Sequence, residues 1–257
     1  MANQGVNIRE EGAVRVLELD NPARRNALSL AMYTELRLQL EAAEREASVR
    51  ALVISGSQEV FCSGNDLDDF ISGPRMNQNH PTIRFMEALR AFSKPVVAAV
   101  EGPAVGIGTT LLLHCDLVYA GKSAFLQMPF VQLGICPEYG SSYLLPRMMG
   151  YQRAAELLML GERITAEQGQ AMGLINQVVA DAEALQQAMS AAQRLAAAPP
   201  RAMRECKRLL VEGQRERISA AMDDELKVLA VALGYGEMEE AVTAFKEKRA
   251  PDFSRFS

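Results

Sequence analysis

Tryptophan is absent from the chain, histidine occurs only at His80 and His114, and the four cysteines, Cys62, Cys115, Cys136 and Cys206, lie far apart. None of them has the close spacing of a metal site or of a disulfide framework, so neither is expected, and the cysteines read as reduced thiols. Two isolated histidines also leave a Ser/His or Cys/His nucleophilic dyad without support. Long apolar runs are missing. The longest, Pro95 to Val100 and Thr109 to Leu113, fall far short of the ~20 residues that cross a bilayer. A basic surplus is missing too: 27 Lys and Arg stand against 32 Asp and Glu, which argues against a nucleic-acid footprint. Neither nucleic acid nor membrane is therefore expected as a partner. The first ten residues lack the apolar centre of a signal peptide, and the final Arg-Phe-Ser is not a peroxisomal address, so a cytoplasmic location is the expectation.

What is present suits one globular unit. The chain has 257 residues, 49% of them hydrophobic, enough for a sizeable core. Ala13 to Leu19 alternates like a strand and Asn21-Pro22 ends it. Ser29 is placed to cap a helix in which Leu30, Tyr33, Leu36, Leu40 and Ala43 recur at helical spacing. Ala51 to Gly56 fits a buried strand, Pro81 to Phe92 a helix with Phe85, Met86, Leu89 and Phe92 on one side, and Lys94 to Val100 and Cys115 to Ala120 two further strands. Strands separated by helices imply crossovers and hence an α/β core with parallel strands. From about Tyr143 the pattern turns almost wholly helical, punctuated by Gly150, Gly161, Gly173 and Pro199-Pro200, with longer helices over Ala182 to Ala198 and Ile218 to Leu233.

Three stretches could carry chemistry. Gly134 to Ser142 places one acid, Glu138, in a turn between apolar segments. Burial there would raise its pKa toward neutrality, as suits a proton-transfer base, although a partly solvated turn glutamate would look the same. Phe61 to Leu67 passes through Ser63, Gly64 and Asn65, turn-tolerant residues that expose backbone N–H groups. Glu101 to Thr110 leaves a strand and opens a helix, where free N–H groups favour an oxygen anion. A dinucleotide fingerprint is the rival for Gly106-Ile107-Gly108, but the third glycine it needs would fall at Leu111. Glu101 and Asp116 read as structural or surface acids.

Taken in order and spacing, Asn21 to Leu28, Phe61 to Leu67, Gly102 to Asp116, Pro129 to Ser142 and the tail at 244–253 resemble the crotonase (enoyl-CoA hydratase/isomerase) superfamily over nearly the whole chain. The resemblance implies a repeated β-β-α superhelical core, here residues 1–195, and a C-terminal helical region, 196–257, used in trimerisation. It also implies an acyl-CoA thioester as ligand, no cofactor beyond the coenzyme A of the substrate, and a homotrimer or dimer of trimers. The family's oxyanion hole of two backbone N–H groups maps to Asn65 and Ile107, the latter a departure from the glycine many relatives have. Contacts to substrate and CoA map to Ala23, Arg25, Ser63, Gly64, Asp66, Leu67, Gly106, Phe130 and Lys246. Arg24 and Arg25 match a basic stretch near the family's CoA phosphates or are simply solvated, and Lys246 and Lys248 are weaker candidates, reaching CoA on a neighbouring subunit. Phe130, Leu133 and Leu126 could line an acyl tunnel or simply pack in the core.

The family's hydratases use two glutamates, and their positions fall here on Thr110 and Phe130, neither a carboxylate. Glu138 matches the single glutamate of the peroxisomal-type Δ3-Δ2-enoyl-CoA isomerases, with Tyr139 in place of the glycine that often follows it. The resemblance thus implies an isomerase that transposes a C=C bond from a 3-enoyl-CoA to a trans-2-enoyl-CoA by a one-glutamate proton shuttle. The alternatives are another enzyme of the superfamily, such as a hydratase, lyase or hydrolase, and a catalytically silent acyl-CoA-binding protein.

Overall fold

The computed structural model describes residues 5–57 and 59–256. Strands β1 (Val6–Glu11) and β2 (Val14–Leu19) form an antiparallel hairpin, and β2 then pairs in parallel with β3 (Ala51–Gly56). Parallel pairing continues through β4 (Val96–Val100), β6 (Leu117–Gly121) and β9 (Gln177–Val179), giving a six-stranded sheet in the order β1-β2-β3-β4-β6-β9. A second, three-stranded sheet holds β5 (Pro103–Val105), β7 (Phe125–Gln127) and β8 (Ile164–Thr165). The chain repeatedly leaves the large sheet, visits the small one and turns into a helix. After β4 it runs through β5 to α4 (Ile107–Thr110), and after β3 it bridges Cys62 to Ala104 before α2 (Leu67–Ser72) and α3 (Pro81–Ala91). This is the expected β-β-α repetition.

A parallel sheet must be covered on both faces, so its strands are apolar throughout rather than alternating. One face, with Leu17, Leu52, Ile54 and Ala98, packs under α1 (Leu30–Arg45) and α3. The other, with Val16, Val53, Val97 and Ala99, meets α8 (Ala184–Ala197), whose Ala184, Ala188, Ala191 and Ala192 let the helix lie close to the strands. Ser29 caps α1 as expected, accepting from Met32 N at 3.2 Å. The buried stripe of α1 is Met32, Tyr33, Leu36, Leu40 and Ala43, with Leu30 only half-buried.

Lys94, two residues before β4, is 1% exposed, and its ammonium donates to the carbonyls of Ala43, Glu46 and Val49. One cation thereby satisfies the C-terminal end of α1 and the entry to β3 together.

The remainder is mostly helical: α5 (Ser141–Met149), α6 (Tyr151–Ala155), α7 (Ala166–Ala171), α9 (Pro200–Glu212), α10 (Arg215–Ala232) and α11 (Gly236–Glu247). The expectation of an almost wholly helical stretch beyond Tyr143 is corrected by β8 and β9. With two and three residues these strands are too short to show a period. β1 went unforeseen although Val6 and Ile8 alternate with polar neighbours. It is an edge strand on which Val6 alone is buried and Ile8 is exposed, so its apolar residues mark no buried face.

Candidate active site

Two backbone loops and one turn converge at the C-terminal end of β3 and β4. In the first loop Cys62 N donates to Pro103 O at 3.0 Å and Val105 N to Cys62 O at 2.9 Å. Two residues on, Leu28 N donates to Gly64 O at 2.8 Å and Asp66 N to Leu28 O at 3.0 Å. In such a parallel bridge the middle residue turns its own N–H away from the partner strand, and among the described residues the Asn65 N–H has no acceptor. In the second loop Gly106 has φ 55° and precedes α4. Ile107 is the first residue of that helix, so its N–H falls before the helical hydrogen-bond ladder and also finds no acceptor among the described residues. Gly64 has φ 108°, and a Cβ on Gly106 would stand 3.9 Å from Gly64 Cα. The loops abut at these two glycines, whose positive φ favours glycine. Tyr33, reaching from α1, donates its hydroxyl to Asn65 Oδ1 and fixes that side chain.

Glu138 is 8% exposed, which removes the solvated-turn alternative. Thr110 Oγ1 donates to its Oε1 at 3.2 Å, so the carboxyl is attached to α4, one turn along from the free Ile107 N–H. Burial pushes the Glu138 carboxyl up to about 8; the Thr110 bond opposes this and the nearby charge of Glu225 adds to it. Glu225 comes from α10 and is itself 8% exposed. It accepts from Gly140 N at 2.7 Å, Ser142 N at 3.1 Å and the Ser142 hydroxyl, pinning the start of α5. Burial raises its pKa while these three donors lower it.

Between these two acids Tyr139 holds φ 59°, a conformation that costs a non-glycine residue about 1–2 kcal/mol and explains why glycine suits the position. Three contacts support it. The phenol donates to Met86 O at 2.8 Å, the Tyr139 carbonyl lies 2.8 Å from His114 Nε2, and the imidazole stacks on the phenol ring at 3.8 Å between centroids. A carbonyl can only accept, so His114 carries its proton on Nε2. Burial lowers its pKa to about 4, keeping it neutral.

The expected CoA contacts gather beside this site. Ala23 and Arg25 are exposed at the short turn after Asn21, and Ser63 Oγ donates to Arg24 O at 3.1 Å. Asp66 caps α2, accepting from Asp68 N at 3.0 Å, with Leu67 opening that helix. Arg24 and Lys246 both reach Asp68, at 3.0 and 3.6 Å. Lys246, near the end of α11, thus lies beside α2 of its own chain. A cavity of about 620 Å³ lies alongside, bounded by Met76, Leu233, Tyr235, Met238 and Lys246. Phe130 and Leu126 are 3% and 1% exposed members of the main core, and Leu133 is half-buried. Asp116 accepts from Val96 N and Lys207 Nζ, and Glu101 from Ala184 N, both structural as expected.

Tyr33, His114 and Glu225 were not foreseen as parts of the site. Each acts across more than 20 residues of sequence, and the only local hint is the scarcity of histidine. Burial keeps the Cys62 thiol protonated, with its pKa pushed up to about 12. Among the described residues no group of side chains is arranged to hold a metal ion, and no helix is long and apolar enough to cross a membrane.

The sequence pattern of the family described as enoyl-CoA hydratase/isomerase matches residues 9–255. A 2,3-dehydroadipyl-CoA hydratase of Escherichia coli K12 is 35% identical over 93% of this chain and 94% of its own length. Enoyl-CoA delta isomerase 2 of Rattus norvegicus is 32% identical over 96% of this chain and 64% of its own. Among solved structures, OdaA of Pseudomonas aeruginosa is 45% identical with a TM-score of 0.92, covering 94% of this chain and 98% of that one. An enoyl-CoA hydratase/isomerase from Pseudoalteromonas atlantica T6c is 36% identical with a TM-score of 0.93, covering 97% and 100%.

Proposed function

This chain belongs to the enoyl-CoA hydratase/isomerase family, and we propose that within it the chain is a Δ3-Δ2-enoyl-CoA isomerase working with one carboxylate. The observation that carries this reading is the placement of Glu138, a buried acid hydrogen-bonded to Thr110; its burial pushes the carboxyl up to about 8. Thr110 stands where a hydratase places one of its two glutamates, and Phe130 is a buried aromatic at the other position. Adding water across a double bond calls for one group on the water and another on the C2 proton, whereas moving a double bond needs one group that takes a proton and gives it back.

In this mechanism the thioester oxygen lies against the N–H groups of Asn65 and Ile107. Glu138 removes a C2 proton of the 3-enoyl-CoA and the electrons pass to that oxygen as an enolate. The same proton returns to C4, leaving a trans-2-enoyl-CoA. Each backbone donor is worth about 2.7–4 kcal/mol of transition-state stabilisation. A carboxyl with its pKa near 8 is matched to this task, since it is basic enough to accept the proton and keeps it out of solvent until C4 is presented. The exposed Arg25, with Arg24 and Lys246 around Asp68, suits the CoA phosphates. The exposed Leu209, Leu210, Val228, Val231 and Tyr235 of the C-terminal helices and the segment after them fit a trimer or a pair of trimers.

A hydratase is the second reading, favoured by the name of the E. coli relative. Assaying cis-3- and trans-3-enoyl-CoA from four to twelve carbons, beside trans-2-enoyl-CoA in water, separates the two. Conversion of the 3-enoyl thioesters with little hydration of the 2-enoyl thioester is expected. Rapid formation of 3-hydroxyacyl-CoA without isomerisation would overturn the assignment.

A further inference from the structure

Behind the turn that carries Glu138 lies a cavity of about 330 Å³ between α3 and α10. Its wall is mixed: Ile83, Met86, Leu226 and Leu229 are apolar, the buried Glu225 and the half-buried Arg90 also line it, and the exposed Asp223 stands toward its outer side. Tyr139 forms part of the same wall, although it is the residue next to the base. Its ring is immobilised on both edges: the hydroxyl is tied to Met86 O, itself on a lining residue, and one face is covered by the His114 imidazole. The backbone beneath is held in a shape that favours glycine, so this aromatic persists only because those contacts support it.

We propose that Tyr139 is a specificity-determining residue: its ring closes the acyl pocket on the side of the α3/α10 cavity and limits the enzyme to short acyl chains. Without the ring, the cavity becomes room for the tail of a longer, unbranched chain. The wall begins at the residue adjoining the base, and the base serves C2 and C4, so space ends a few carbons beyond C4. Ile83, Met86, Leu226 and Leu229 line part of what lies past the wall, beside the carboxylate of Glu225, and each methylene packed on those apolar side chains would leave water. The proposal rests on the acyl-CoA reading above.

Binding of saturated acyl-CoA thioesters tests it apart from turnover, since these cannot isomerise. Calorimetric titration with butanoyl-, hexanoyl-, octanoyl- and decanoyl-CoA would be run on the wild-type chain, Tyr139→Phe, Tyr139→Ala and Tyr139→Gly. Wild type and Tyr139→Phe, which keeps the ring, are expected to stop gaining affinity beyond hexanoyl. Tyr139→Ala and Tyr139→Gly are expected to gain up to about fourfold per added methylene, and more than tenfold between hexanoyl and decanoyl. Tyr139→Leu serves if the smaller variants fail to fold, with part of the same gain expected. A wild-type affinity that keeps climbing to decanoyl would overturn the proposal. So would folded variants that bind butanoyl-CoA normally and retain the wild-type plateau. Loss of the isomerase reading alone would appear as absent turnover with the binding pattern intact.

Discussion

Replacing Glu138 by Gln should stabilise the folded chain by an amount that grows with pH. In the unfolded chain this carboxyl ionises near its ordinary 4.5, whereas in the folded protein burial holds the proton until about 8. Between those values unfolding releases a proton, so each pH unit lowers stability by about 1.4 kcal/mol. The accumulated loss reaches roughly 5 kcal/mol at pH 8 and stays there above it. Gln has the same shape, can keep the hydrogen bond with Thr110 Oγ1, and carries no charge, so it escapes this loss. At about 2–4 °C per kcal/mol for a chain of this size, Tm of E138Q should exceed wild type by roughly 10–20 °C at pH 8 and by little at pH 5. Thermal unfolding of the two ligand-free proteins at unit steps from pH 5 to 9 checks this, because titrations away from this site are common to both and cancel in the difference, while that of Glu225, whose charge acts on Glu138, is shared only in part. Turnover should fall by about 10²–10⁴-fold or more in the same variant. A Tm difference that stays flat across the range would refute the burial of an ionisable base at 138.

The wild-type kcat/KM for a 3-enoyl-CoA should rise with pH and level off above about 8, since only the ionised Glu138 accepts a proton. Thr110→Val removes the donor that steadies the carboxylate, about 1.5–3 kcal/mol for a bond to a charged group, and should move that inflection up by one to two pH units; an inflection at or below the wild-type value would count against the geometry. Tyr33→Phe leaves the Oδ1 of the half-buried Asn65 without this donor. It should cost about 0.5–1.5 kcal/mol in urea unfolding and lower turnover without moving the pH inflection. Glu225→Ala frees Gly140 N, Ser142 N and Ser142 Oγ and should destabilise by about 2–3 kcal/mol. Equal denaturation midpoints for this variant and wild type would show that the start of α5 does not depend on it.

The parts of the fold that bury long periodic segments were legible in sequence: the Ser29 cap and stripe of α1, the apolar runs of β3, β4 and β6, and the face of α3. The small sheet was not, because β5, β7 and β8 have two or three residues each and owe their conformation to neighbours rather than to pattern. At the site, Glu138 stood out as an acid between apolar segments, and its burial follows from them. Thr110 entered only as the place where a carboxylate is missing, and its bond to Glu138 depends on a contact 28 residues away. Tyr139 looked like a question of pocket shape, while its left-handed backbone and its imidazole partner are facts of tertiary packing. Glu225, in the middle of a helix rich in charged residues, carries no local mark of burial at all.

The ammonium of Lys94 also has a practical meaning. Sealed against three carbonyls from the end of α1 and the approach to β3, it is out of reach of an amine-reactive label while that crossover stays assembled. Lysines such as Lys227 and Lys246, with side chains 75% and 58% exposed, take up such a label freely. The ratio of slow to fast lysine modification in an intact sample therefore works as a clock for opening of the central strands, readable by mass without any substitution or probe.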